Sequence, residues 1–184
     1  MKKLITLSLV FIFIFTFTIV GLAQDVELID PWVSEKEQGV HGGTVISTLL
    51  SDPKTFNVIT AQETSSTDII EDFIFEGLVT RHGVTTEIIP QLARDWEISE
   101  DGTVYTFYLR RGVQWSDGVE FTADDVIFTL DVVKDKDVPT STRDVMMVDG
   151  EFPEYRKIDK YTVEIEIAKP FAPFMNNMTA FIIP

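Results

Sequence analysis

Two alternating runs of apolar and polar residues predict two β-hairpins in the chain. Residues 96–109 alternate on both sides of an Asp-Gly pair at 101–102, a pair that favours a tight hairpin turn. Residues 161–167 alternate in the same way after a turn at 158–160. One face of this second hairpin is therefore expected to be buried and the other solvated. In the strand after the first turn, one face is predicted to carry Tyr105, Phe107 and Leu109, and the other face the residues between them.

Two other segments have apolar residues at three- and four-residue spacing, which predicts amphipathic helices. The first follows the polar cluster 64–67, with Ser65 as its predicted N-cap and Gly77 late enough to help end it. The second begins after Thr122, and Asp125 stands three residues later in the capping position. The adjacent acids at the start of this helix are therefore ascribed to capping rather than to catalysis.

Three further stretches complete the predicted order of elements. Residues 44–50 are β-branched and apolar enough for a strand, and 51–53 then turn the chain. Residues 136–153 have no period and predict a long surface loop. Together these elements predict a mixed α+β domain of the α/β class over residues 43–184. Because the apolar segment 171–184 ends without a polar tail, we expect the chain to be a fragment of a longer protein.

The first 23 residues have the pattern of a secretory signal peptide. A basic start is followed by a long apolar stretch and by the small residues Gly21 and Ala23, so cleavage is predicted after Ala23. The alternative is an uncleaved membrane anchor, because the apolar stretch is long enough to span a bilayer. Residues 24–42 are acidic, lack a period and are interpreted as a flexible N-terminal segment. The protein is therefore expected to be exported.

Charge and cysteine content narrow the possible partners. The chain carries a formal net charge of −15, and a surface that acidic repels phosphate backbones, so nucleic acid is not an expected partner. The chain has no cysteine, which excludes disulfides, thiolate nucleophiles, cysteine metal sites and a lipid-modified cysteine. Export does not require disulfides when the core is large enough.

The sequence offers little that points to catalysis or to metal binding. Its two histidines, His41 and His82, each stand beside glycine in a predicted loop, without a second histidine at helical spacing. No nucleophile elbow, phosphate-binding glycine loop or metalloprotease motif is present. We therefore expect no cofactor, no metal and no enzymatic activity. A secreted hydrolase that uses surface carboxylates and a membrane-tethered interaction domain remain as alternatives.

Three stretches resemble the family 5 extracellular solute-binding proteins of ABC transporters, which bind peptides, nickel or oligosaccharides. They are GGTVISTLLSDPKTFN from Gly42, IFEGLV from Ile74, and PQLARDWEISEDGTVYTFYLRRGVQWSDGVEFTADDVIFTL from Pro90 to Leu130. The resemblance implies a two-lobed periplasmic-binding-protein-like fold. This chain would cover the beginning of the first lobe, with its β-rich subdomain.

The same resemblance implies a function. Family members hold a small-molecule ligand in the cleft between their lobes, close by hinge motion and dock on an ABC permease. Peptides are the expected cargo, oligosaccharides are the alternative, and nickel complexes are less favoured because the chain has no cysteine and few histidines. The protein is expected to act outside the cytoplasm as a monomer.

Candidate ligand-binding residues follow from the loop that precedes the first helix, which in this family contributes to the cleft wall. Hydroxyl side chains and helix N-terminal N–H groups suit hydrogen bonds to peptide carbonyls or sugar hydroxyls. The competing interpretation is that Ser65 and Thr67 only cap the helix. The family motif residues Trp115, Asp117 and Gly118 are interpreted as structural, and Trp96 and Phe107 as packing residues. The predicted ligand-binding residues are Glu63, Thr64, Ser65, Ser66 and Thr67.

Overall fold

The computed structural model describes residues 42–184 apart from residues 45 and 47, together with all side chains in its helices and strands except that of residue 72. The predicted signal peptide, its cleavage site and His41 lie outside the described residues, as does all but the last residue of the predicted acidic segment. None of the helices in the described part is both long enough and apolar enough to cross a bilayer. In chain order the elements are α1 Thr64–Phe73, β1 Val79–Arg81, β2 Ile88–Pro90, β3 Ala93–Ile98, β4 Val104–Leu109, α2 Ala123–Lys134, α3 Thr142–Met146, β5 Glu154–Asp159, β6 Thr162–Glu166 and α4 Phe174–Asn177.

A four-stranded antiparallel sheet in the order β3-β4-β6-β5 forms the centre of the described structure. The two predicted hairpins are confirmed, and β4 and β6 join them side by side, with Phe107 opposite Val163. Tyr105, Phe107 and Leu109 share one face of β4, as the alternation predicts, and all three are buried. The first turn is closed by Asp101, whose carboxylate accepts hydrogen bonds from the Ser99 and Thr103 hydroxyls.

Helix α2 begins as the sequence predicts. Thr122 accepts a hydrogen bond from the backbone of Asp124, and the Asp125 carboxylate accepts the backbone N–H of Thr122 at 2.7 Å. These reciprocal bonds satisfy donors that a helix start would otherwise leave open. Beyond the cap, α2 buries one apolar stripe, formed by Ala123, Val126, Leu130 and Val133, in the same core cluster as the sheet.

Four predictions of local structure are wrong. The described residues of 44–50 form no strand, and the side chains of Ile46 and Leu50 are 89% and 97% exposed. Strand-forming residues need a partner strand for their backbone groups, and the described structure pairs none with this segment. Helix α1 begins before Ser65, with Glu63 at the N-cap position, and it ends well before Gly77. The predicted loop 136–153 contains the short helix α3.

Two hydrophobic clusters lie on either side of a pair of antiparallel segments. The larger cluster contains the sheet and α2, while the smaller one consists of Val58, Ala61, Ile70 and Phe181. Residues 76–79 and 178–183 run between them, and we call these two segments the connecting ribbon. Gly77 pairs with Phe181, and Ile182 donates its N–H to the carbonyl of residue 76 at 2.8 Å.

Candidate functional site

The predicted ligand-binding residues form the first turn of α1 and the position just before it. Ser66 lies at the centre of this turn and is fully buried. Its hydroxyl accepts the backbone N–H groups of Lys54 and Thr55 at 3.1 and 3.3 Å and donates to Glu63 Oε1 at 2.7 Å. This hydroxyl therefore bonds the loop 51–55 to the start of the helix.

The other residues of this turn differ in exposure. Ser65 is only 5% exposed, and its hydroxyl accepts a hydrogen bond from the Ser51 hydroxyl at 3.0 Å. Thr67 is partly buried and donates back to the carbonyl of Glu63. Thr64 is exposed and Glu63 is partly exposed. The structure thus brings all five residues together but gives Ser65 and Ser66 structural partners, and the surface of the turn belongs chiefly to Thr64 and Glu63.

The carboxylate of Glu63 is stabilised in its charged form. Its hydrogen bond from the Ser66 hydroxyl, followed by backbone N–H donors that include that of Lys54, holds its pKa below the ordinary value of a glutamate. A charged carboxylate at a helix start also interacts favourably with the helix dipole. The site therefore presents a negative charge at neutral pH beside the exposed hydroxyl of Thr64.

This arrangement predicts a pH dependence of stability. Because the pKa of Glu63 is lowered by folding, its contribution is present above the ordinary glutamate pKa of about 4.3 and is lost as the pH falls through the lowered value. The urea midpoint of the wild type should exceed that of Glu63→Gln at pH 7, and the difference should shrink towards pH 3. A difference that stays constant over this range would contradict the assignment.

The structure also contains a cleft of about 340 Å³ that the sequence did not predict. We call it the Trp115 cleft. Trp115 itself is held in place, as the structural interpretation of this residue predicts. Its indole N–H donates to Asp125 Oδ1 at 3.1 Å, and its ring meets Phe121 edge-on at 6.0 Å. No local pattern could have indicated this cleft, because its walls come from distant parts of the chain. They include Ile74, Phe75, Glu76, Leu92, Trp115, Asp117 and Pro184.

His82 stands in a turn between β1 and β2. Its Nδ1 atom accepts the backbone N–H groups of Val84 and Thr85 at 3.3 and 3.0 Å, so the side chain closes the turn. Within the described residues, no group of three or more acidic or histidine side chains is arranged to hold a metal ion.

Comparison with known protein families decides the class of protein. The model of the bacterial extracellular solute-binding proteins, family 5, matches residues 87–184, which is more than half of the chain. The chain belongs to this family. The match includes the four-stranded sheet and α2, and it extends to the end of the connecting ribbon.

Two similar proteins are named for the ligands that they bind. The dipeptide-binding protein of Escherichia coli is 33% identical over 153 residues, which is 76% of this chain and 29% of the relative. The periplasmic alpha-galactoside-binding protein of Rhizobium meliloti is 42% identical over 86 residues, which is 46% of this chain and 12% of the relative. The chain thus spans less than a third of the length of these curated relatives.

Solved structures agree with the family assignment. The ABC transporter-associated periplasmic binding protein DppA of Helicobacter pylori, in complex with the peptide STSA, superposes with a TM-score of 0.61 at 29% identity. The matched region is 72% of this chain and 29% of that protein. NikZ of Campylobacter jejuni, in complex with Ni(L-His), superposes with a TM-score of 0.60 at 27% identity over 73% of this chain. The described residues therefore form part of a periplasmic-binding-protein-like fold.

Proposed function

We propose that this chain forms the first-lobe part of a protein that captures peptides outside the cytoplasm and delivers them to an ABC permease. The observation that carries the proposal is the 33% identity to a dipeptide-binding protein across 76% of the chain. The superposition on a relative that holds a peptide supports the same cargo. Residues 1–23 support export, since they have the pattern of a signal peptide.

On this proposal, the start of α1 is one wall of the ligand cleft. The serine network fixes the turn, because the Ser65 and Ser66 hydroxyls are occupied by the loop 51–55. Thr64 then presents a hydroxyl that can donate to a peptide carbonyl or accept from a peptide N–H. Glu63 adds a negative charge suited to a peptide ammonium. A wall fixed in advance reduces the ordering cost of binding.

The proposed mechanism is capture without chemical change. Like Glu63, the other described carboxylates with a lowered pKa have structural partners that account for it. The pKa of Asp101 is lowered by the Ser99 and Thr103 hydroxyls. The pKa of Glu120 is lowered by Lys160, which lies 2.6 Å away, and that of Asp159 chiefly by the backbone N–H of Tyr161. Ligand burial between two lobes would supply affinity, and hinge closure would prepare the complex for docking. We expect a monomer that needs no cofactor.

Oligosaccharide capture is the second candidate. It is favoured by the 42% identity to a galactoside-binding relative over 86 residues, although that match covers less of the chain. Hydroxyl groups such as that of Thr64 serve sugars as well as peptides. The two cargoes therefore have to be separated by experiment.

A thermal-shift screen of the full-length protein without its signal peptide tests both candidates. A ligand that binds only the folded state raises the melting temperature. We expect a shift with di- or tripeptides and none with oligosaccharides, with intact peptide recovered afterwards. A shift only with oligosaccharides would replace the first candidate by the second, and consumption of the peptide would indicate an enzyme.

The same screen tests the role of the α1 start. Thr64→Ala should weaken peptide affinity roughly threefold to tenfold, the range expected for one hydrogen bond. The melting temperature without ligand should not change. Thr106→Ala, a substitution of the same kind in β4 of the sheet, is the control and should leave affinity unaltered. Equal affinities of the two variants would remove Thr64 from the proposed ligand contacts.

A further inference from the structure

The connecting ribbon has few bonds of its own. Its two segments are joined by the pairing of Gly77 with Phe181 and by backbone bonds from Ile182 to residue 76 and from Val79 to residue 178. The first segment is also held by residues 91–93, whose backbone N–H groups donate to the carbonyls of Gly77 and Leu78. An isolated pair of strands, by contrast, would be only marginally stable in water. Its conformation therefore depends on the elements packed against it.

One buried hydroxyl on α2 ties the end of this ribbon to the larger cluster. Thr129 is 3% exposed, and its hydroxyl accepts the backbone N–H of Ile183 at 3.0 Å while donating to the carbonyl of Asp125 at 2.7 Å. The two residues are 54 positions apart in the sequence. The bond thus joins the middle of α2 to the end of the connecting ribbon.

Packing alone does not explain a threonine at this position. A β-branched residue has a modest cost in a helix, and a hydroxyl bonded to the carbonyl four residues earlier tends to bend it. Valine would fill the same space without a polar atom. The hydroxyl is accounted for by its second bond, because without it the N–H of Ile183 would have no protein partner at this place.

We propose that Thr129 is a positioning residue that locks the connecting ribbon to α2 and thereby fixes how the start of α1 is held relative to the β-rich subdomain. This inference rests on the proposed function, because the α1 start is one wall of the proposed ligand cleft. Ile70 of α1 and Phe181 of the ribbon lie in the same small cluster, so the ribbon and α1 are mechanically linked. A looser ribbon adds an ordering cost to ligand binding.

The test compares Thr129→Val with Thr129→Ser in the full-length protein without its signal peptide. Valine keeps the shape and removes the hydroxyl, while serine keeps the hydroxyl. Hydrogen exchange of the Ile183 amide should be roughly threefold to tenfold faster in Thr129→Val, with the Phe107 amide as internal reference. The dissociation constant for a dipeptide should rise by about the same factor, and Thr129→Ser should resemble the wild type in both measurements.

The possible outcomes separate this inference from the proposed function. Unchanged protection of the Ile183 amide in Thr129→Val would overturn the lock itself. Faster exchange with unchanged dipeptide affinity would overturn the positioning role while leaving peptide capture intact. Absence of dipeptide binding by the wild type as well as by both variants would overturn the proposed function together with the role that rests on it.

Discussion

Replacement of Gly77 by alanine should lower the free energy of unfolding by about 3 kcal/mol, the upper part of the range for overpacked sites. A Cβ atom at this position would lie 2.6 Å from the carbonyl oxygen of Thr179 and 2.8 Å from that of Ala180. Both atoms belong to the backbone of the opposite segment of the connecting ribbon, which cannot swing away as a long side chain could. The two segments would have to separate, and the pairing of Gly77 with Phe181 would be lost.

Gly83→Ala is the matched control for this prediction. A Cβ atom on Gly83 would meet nothing within 4 Å, so its effect should stay within about 0.5 kcal/mol. Urea denaturation followed by circular dichroism measures both variants. Similar midpoints for the two alanine variants would show that the ribbon is not closely packed at Gly77.

The second large effect is expected for Asp125→Ala, which should cost about 2–3 kcal/mol through the loss of a capping box and of a partly buried acceptor. One carboxylate oxygen accepts the backbone N–H of Thr122 at 2.7 Å, and the other accepts the indole N–H of Trp115 at 3.1 Å. An alanine side chain cannot accept a hydrogen bond from either of these N–H groups. Both the start of α2 and the position of the tryptophan should therefore loosen.

The neighbouring acid provides the comparison. Asp124 is exposed and pairs with Lys157 at 2.7 Å, an ion pair of a kind that contributes little in water. Asp124→Ala should cost less than about 1 kcal/mol, with the helix dipole as its main cause. Tryptophan fluorescence and urea midpoints distinguish the variants. An equal loss in both would mean that charge at the helix start, rather than the bonds of Asp125, stabilises α2.

The elements that the sequence predicted correctly are those whose signals are local. The Asp-Gly turn at 101–102 and the alternation around it define the β3–β4 hairpin within fourteen residues, and the Thr122–Asp125 capping box defines the start of α2 within four. Each signal rests on bonds between near neighbours. The long motif from Pro90 to Leu130 gave the family for the same reason, since it spans one continuous stretch.

The incorrect predictions for residues 44–50, Ser65 and Gly77 concern positions whose structure is decided by distant partners. The segment 44–50 has the composition of a strand but no paired strand in the described residues. Ser65 resembles a cap, yet its hydroxyl is bound by Ser51, and Gly77 is required by the approach of Thr179 rather than by the end of α1. Periodicity and spacing carry no information on such contacts.

The candidate site was predictable in part. The resemblance to the family assigned residues 63–67 to a loop before the helix, whereas the structure places residues 64–67 in the first turn of α1 and Glu63 just before it. Which side chains face solvent depends on how the loop 51–55 lies over the helix start, and this could not be inferred from residue types. The ligand contacts of Glu63 and Thr64 stay predictions. The Trp115 cleft had no sequence signal because its walls are assembled by the fold.

Whether the protein captures peptides can be measured by isothermal titration of the full-length protein, without residues 1–23, with di- and tripeptides. We expect saturable binding of one peptide per protein molecule, with the peptide recovered intact and its affinity reduced in Thr64→Ala. Absence of binding across the peptide series, or recovery of cleaved peptide, would contradict capture for transport.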